Sequence, residues 1–150
     1  MRETHRSRAY RRHPLRPAVR APSVHNSQPW RWHLGHDRLD LYADFGRQLT
    51  ATDPRARALM VSCGAALHHL GTALAMLGRH ATIHRLPDPT RPDHLATITC
   101  TPHTPTDLDR GLAAAITTRR SDRRRYPAPV PPADLRAITT PRRPLAEVLD

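Results

Sequence analysis

The sequence predicts an α+β fold in which an antiparallel or mixed sheet packs on one long central helix. Three observations carry this. Trp30–Leu34 and Leu39–Asp44 are short aromatic or alternating runs around Gly35-His36-Asp37-Arg38, a hairpin signal. An apolar pattern at helical spacing then runs between Thr52 and Gly78. Two further strand-like runs, Ala81–Leu86 and His94–Thr101, flank the turn-rich segment Pro87–Pro92.

In chain order, residues 1–17 show no periodic apolar pattern and read as a basic, disordered arm. The hairpin follows. Thr52 or Asp53 is suited to cap the long helix, with Pro54 near its first turn and Gly78 at its end. Leu59, Met60, Cys63, Ala66, Leu67, Leu70, Ala73, Leu74 and Leu77 form its apolar face. Roughly 24 residues at 1.5 Å each give a rod of about 36 Å. Ser62, Cys63, Gly64, Ala65 and Ala66 crowd its middle, so another backbone can approach closely. A second helix is predicted from Thr106 to Thr118, with Leu108, Leu112, Ala115 and Ile116 on one face. The basic run Arg119–Arg125, the segment Pro127–Pro132 and a short helix around Ala133–Ile138 complete the chain. The expected organisation is thus an arm (1–17), a half-domain (18–118) and the beginning of a further unit (119–150). No internal repeat is evident.

Composition leans against a large core: 38% of the 150 residues are hydrophobic, 4% are aromatic, and sixteen prolines interrupt regular structure. No apolar run approaches the ~20 residues of a membrane span, and the basic N-terminus has no apolar stretch behind it. Cys63 and Cys100 lack CxxC spacing, so reduced thiols and a cytoplasmic setting are expected. The net charge of +11 invites a nucleic-acid reading, but its distribution weakens it. Residues 1–20 carry seven arginines and one acid, and residues 110–150 carry nine arginines and four acids. The middle, with eight arginines and eight aspartates, is neutral. Every one of the 24 basic residues is arginine, which points to coding bias more than to a phosphate-binding surface. Base-stacking aromatics are scarce beside the arginine run, with Tyr126 alone nearby.

The segment Ala21-Pro22-Ser23-Val24-His25-Asn26-Ser27-Gln28-Pro29-Trp30-Arg31-Trp32 has an unusual density of prolines and two-way hydrogen-bonding groups. Proline pins the backbone, while Asn and Gln each donate and accept. Such a loop suits a flat heterocycle with polar edges. Arg119-Arg120-Ser121-Asp122-Arg123-Arg124-Arg125-Tyr126 offers guanidinium forks and a hydroxyl that match phosphate oxygens, although a solvated charged loop reads the same way. The eleven histidines show no zinc-ligand spacing, and His68 and His69 diverge by about 100° on a helix. Neither GxGxxG, GxxxxGK[ST] nor GxSxG occurs. Ser23 and His25 with some aspartate make a triad on paper alone, since nothing in the spacing holds a base against the serine. No catalytic side chain and no metal ligand is therefore assigned.

Pro22-Ser23-x-x-Asn26-x-Gln28-Pro29-Trp30 resembles the APSxxNxQPW segment of the nitroreductase family, and Arg119-Arg120-Ser121-x-Arg123-x-x-Tyr126 resembles its RRSxRxF motif with Tyr for Phe. Thr52-Asp53-Pro54-x-x-Arg57, Ser62–Leu67 and Leu86-Pro87-Asp88-Pro89 are similar to the Acg-like branch, in which one chain carries two nitroreductase-like halves. The likeness covers about residues 18–140. It implies an incomplete nitroreductase-like fold and an FMN site. Pro22, Ser23, Asn26 and Gln28 would contact the isoalloxazine ring and ribityl chain, while Arg119, Arg120, Ser121 and Arg123 would hold the phosphate. The cofactor carries the redox chemistry with NAD(P)H as reductant and small organic acceptors, so no nucleophile is needed.

Two departures qualify that likeness. The family has an apolar helix ahead of the ring-binding loop, where this chain reads Arg11–Arg20 with Pro14 and Pro17. Two-halved chains continue through a full second half, whereas this sequence stops soon after Tyr126. The expectation is a truncated or degenerate copy in which two chains pair across the flavin seam, one's loop meeting the other's arginines. A flavin-binding protein without turnover, and an arginine-rich nucleic-acid binder, are the alternatives.

Overall fold

The computed structural model describes residues 15–122, 124 and 125. Contacts divide the chain into two compact units, Met1–Arg120 and Ser121–Asp150. In the first unit the elements are α1 (Leu15–Ala18), β1 (Trp30–Leu34), β2 (Leu39–Ala43), α2 (Arg57–Met76), β3 (Arg79–Arg85), β4 (His94–Pro102) and α3 (Asp107–Thr118). Short 3-10 turns lie at Val24–Asn26 and Phe45–Arg47. The four strands form one sheet in the order β1-β2-β4-β3, antiparallel throughout. The α+β expectation therefore holds, with the antiparallel form of the sheet.

Strand alternation decides which face carries the core. Trp30, Trp32 and Leu34 pair with Ala43, Leu41 and Leu39, and Leu39 and Leu41 pair onward with Ile98 and Ala96. This face joins Leu59, Cys63, Ala66, Leu70 and Leu74 of α2 in a single cluster. Leu41, Leu70, Cys63 and Ile98 are almost fully buried. A buried leucine contributes about 1.5–3 kcal/mol, so this cluster supplies most of the cohesion. By length and composition alone α2 is apolar enough to cross a membrane, contrary to the sequence expectation, but its apolar face here packs on the sheet.

The other face of the sheet carries a buried carboxylate, Asp40, which is 1% exposed. It accepts hydrogen bonds from the Thr97 hydroxyl (2.6 Å) and Arg38 Nε (3.1 Å), and lies 3.2 Å from His94 Nε2. Burial pushes its carboxyl up, but Thr97, Arg38 and His94 together outweigh burial and hold it below its ordinary value. The network ties β2 to β4 across the sheet.

Two helix boundaries are instructive. α3 begins as predicted: the Thr106 hydroxyl accepts from Asp109 N, and Asp109 Oδ2 accepts from Thr106 N at 2.8 Å, a capping box. α2 does not begin at Thr52 or Asp53. Its first residue is Arg57, giving 20 residues and about 30 Å rather than about 36 Å. Residues 49–56 instead fold into turns, with Asp53 N bonded to Leu49 O (2.7 Å) and Ala56 N to Asp53 O (3.0 Å). Asp53 still serves the helix end, because its Oδ2 accepts from Leu59 N at 2.9 Å. At the other end Gly78 takes φ 72°, as the predicted stop requires.

The arm also differs from expectation where it is described, since Leu15–Ala18 makes a helical turn that includes Pro17. Ala18 and Ala21 are buried against α2, and the His69 ring nitrogen Nδ1 lies 3.2 Å from Pro17 O. Tertiary contact thus orders a segment whose own pattern is unhelical. Residues 1–14 and the expected helix around Ala133–Ile138 lie outside the described residues.

Two outcomes test this fold. Asp40→Ala strands Arg38, Thr97 and His94 without their acceptor and should lower the unfolding free energy by about 3 kcal/mol in urea titrations. The Asp109 carboxyl is held at about 2, first by His103, then by the Thr106 amide and hydroxyl. A depressed carboxyl stabilises above its unfolded value near 3.8 and loses that contribution as pH falls through its folded value. Thr106→Ala should therefore cost about 1 kcal/mol at pH 7, and should raise the midpoint of acid unfolding followed by circular dichroism.

Candidate functional site

The loop from Pro22 to Pro29 connects α1 to β1 and is held in a strained conformation. His25 (φ 49°), Asn26 (φ 55°) and Gln28 (φ 46°) all occupy the left-handed region. Asn and His adopt this region more readily than Gln, and a non-glycine residue held there costs roughly 1–3 kcal/mol. The strain persists because the loop is closed on itself. Ser23 O accepts from Asn26 N (3.0 Å), and the Ser23 hydroxyl accepts from Gln28 N (3.0 Å). Val24 O accepts from Ser27 N, and Gln28 O from Trp30 N.

Sequence reasoning assigned Pro22, Ser23, Asn26 and Gln28 to one site, and all four lie on this loop. Gln28 Nε2 donates to Asn26 Oδ1 at 3.3 Å, so the two amides set one another's orientation. That leaves the Asn26 side-chain NH2 as a donor and the Gln28 side-chain carbonyl as an acceptor. The Ser23 hydroxyl keeps its proton for donation. A neutral rim of alternating donor and acceptor results.

Two residues of α2 meet the loop from beneath. Ser62 Oγ donates to Ala58 O (2.7 Å) and accepts from Val24 N (3.4 Å). The Cys63 thiol donates to Pro29 O at 3.2 Å, and burial pushes its pKa up to about 11. Trp30, 7% exposed, closes the far end against the core. Ser62 and Cys63 appear in the sequence reading as small residues permitting close approach; the polar contacts they make were missed. The available signal was a serine and a thiol on the buried face of an otherwise apolar helix.

The arginine motif divides between the two units. Arg119 caps α3 through its amide, bonded to Ala115 O at 2.8 Å, and its guanidinium donates to Arg20 O at 3.4 Å. Arg20 in turn donates to Thr117 O at 3.5 Å. Ninety-nine residues apart in sequence, Arg20 and Arg119 are neighbours at the base of the Pro22–Pro29 loop. His69 lies below them, its pKa lowered chiefly by burial, with Pro17 opposing and His68 and Arg119 adding to the fall. Arg120 Nη1 reaches the carbonyls of Thr117, Thr118 and Arg119 at 3.2, 3.4 and 3.0 Å, which suits a cation at a helix C-terminus. In the second unit Arg124 grips Asp122, the shortest contact being 2.6 Å. Ser121 belongs to that unit, and Arg123 and Tyr126 lie outside the described residues. Among the described residues no three His, Cys, Asp or Glu side chains gather as metal ligands.

No family model matches the chain. It is 52% identical over 119 residues to "Putative NAD(P)H nitroreductase Rv3131" of Mycobacterium tuberculosis H37Rv, covering 79% of this chain and 35% of that protein. The chain belongs to the nitroreductase family. It is also 44% identical over 113 residues to "Putative NAD(P)H nitroreductase acg" of the same strain, covering 75% of this chain and 34% of that one. A third relative there, "Uncharacterized protein Rv3127", is 43% identical over 119 residues, with shares of 75% and 34%. The chain spans about a third of the length of these curated relatives. The α+β architecture, with its four-stranded antiparallel sheet on one long helix, is part of a nitroreductase-like fold.

Loop strain can be measured directly. His25→Gly removes a side chain from a left-handed position and should raise the unfolding free energy by about 0.5–1 kcal/mol, read by denaturant titration against the parent chain.

Proposed function

We propose that this chain supplies an FMN-binding half-site of a nitroreductase-type oxidoreductase, which uses NAD(P)H to reduce small organic acceptors in the cytoplasm. The observation that carries this reading is the strained loop, whose Asn26 and Gln28 amides set one another into a neutral donor–acceptor rim. Asn26, Gln28 and Ser23 offer the two-way hydrogen bonding that a flavin ring's N and C=O edges require. Arg120 spends one nitrogen, Nη1, on the backbone carbonyls of Thr117, Thr118 and Arg119, so its other guanidinium donors can meet a phosphate. The residues present therefore fit FMN. When bound, FMN supplies the redox step between nicotinamide and acceptor; the chain's residues bind, orient and set the local charge.

The remainder of the pocket is proposed to come from a second copy, with one chain's loop facing the other's arginines. Support comes from the outward side of α2. Val61 there is 73% exposed, and a Cβ built on Gly64 meets nothing within 4 Å. This is a surface on which a second helix could lie closely.

Titration with FMN tests the reading. The protein should bind the flavin and show its visible absorbance band, and Asn26→Ala should weaken binding by about tenfold, the loss of one hydrogen bond. Lack of any flavin uptake by the unmodified chain would sink the proposal. NADH or NADPH should then bleach the bound flavin under anaerobic conditions. Bound flavin that neither nucleotide bleaches would point to the non-catalytic alternative.

A further inference from the structure

The geometry points to Ser62 and Cys63 as positioning residues that clasp the ring-binding loop in its ligand-ready form before any ligand arrives, an inference that rests on the flavin reading for its functional consequence. The two are adjacent on the buried face of α2, and they engage the loop at its two ends. Ser62 takes the Val24 amide at the start of the 3-10 turn, while Cys63 gives its proton to Pro29 O at the entry to β1. Between those anchors lie His25, Asn26 and Gln28, all left-handed. A segment with that much unfavourable torsion relaxes unless its ends are pinned.

The donor chemistry suits permanence. Cys63 is 1% exposed, and its thiol stays protonated well above neutral pH, so it donates rather than attacks. Ser62 is oriented by its bond to Ala58 O, which directs a lone pair at the loop. Pro29 O accepts a second hydrogen bond from Asp44 N at 3.0 Å, so the carbonyl links α2 to the end of the hairpin. The size of the two residues matters equally, since a larger side chain at either position would push the loop off the helix. Without the clasp, only a fraction of molecules would hold Asn26 and Gln28 in register, and apparent affinity would fall by that fraction.

The test uses the full chain as Ser62→Ala, Cys63→Ala and Cys63→Ser, each checked for folding by circular dichroism. Hydrogen exchange reads the clasp without any flavin. Ser62→Ala and Cys63→Ala should speed exchange of the Asn26, Ser27 and Gln28 amides by about tenfold while leaving β2 and β4 unchanged. Cys63→Ser, which keeps a donor, should restore most of the protection. FMN affinity should fall in parallel by about tenfold in the alanine variants and recover in Cys63→Ser. Unchanged loop exchange in both alanine variants would overturn the clasp whether or not FMN binds. Faster exchange in a chain whose parent form takes up no FMN would uphold the clasp and remove the flavin reading alone. Exchange that quickens equally in the loop and the sheet would also overturn it, since the residues would then serve stability only.

Discussion

The close approach of α2 to both the sheet and the ring loop is the constraint on which the rest of the structure depends. One helix face must pack on Leu41 and Ile98 and also accept the backbone of Val24 and Pro29. Bulky side chains would satisfy the first demand and defeat the second. Ser62 and Cys63 resolve this by being small where the loop crosses, while Leu59, Leu70 and Leu74 fill the space against the sheet. Packing density in such an interior leaves little slack, so loop position and core packing are set together.

A second consequence concerns charge. The run Arg119–Arg125 reads from sequence as a phosphate clamp or a solvated loop, yet Arg119 and Arg120, with Arg20, spend donors on backbone carbonyls, those of Arg20 and Arg120 near the end of α3. The helix C-terminus is the negative end of its dipole, which favours these contacts. The same placement concentrates positive charge beside the loop. These contacts tie the end of α3 to the segment ahead of the loop, so a guanidinium removed there would loosen that junction.

Periodicity made the elements legible. Hairpin, long helix, two further strands and the second helix all lie close to where their apolar patterns place them, because burial on one face imposes those periods. Thr106 and Gly78 mark their helix ends through purely local chemistry. The start of α2 was misread because Asp53 caps from outside the helix, across a turn that brings it back to Leu59. The turn at Leu15–Ala18 was missed for the related reason that its support comes from His69, more than fifty residues away. Pro14 and Pro17 speak against a helix there, and only contact with α2 answers them.

The ring loop shows the division most clearly. Its residue types alone announced a polar, proline-pinned segment able to read a heterocycle, and its order with the arginine motif marked the family. Those are properties of composition and spacing, which one dimension carries. The left-handed backbone at His25, Asn26 and Gln28, the mutual bond of the two amides, and the anchoring by Ser62 and Cys63 were decided by tertiary structure. Each depends on groups distant in sequence competing for the same donors, or on strain tolerated because another element holds the ends. Pairing of that kind leaves no periodic trace in a sequence, since it follows from which surfaces meet.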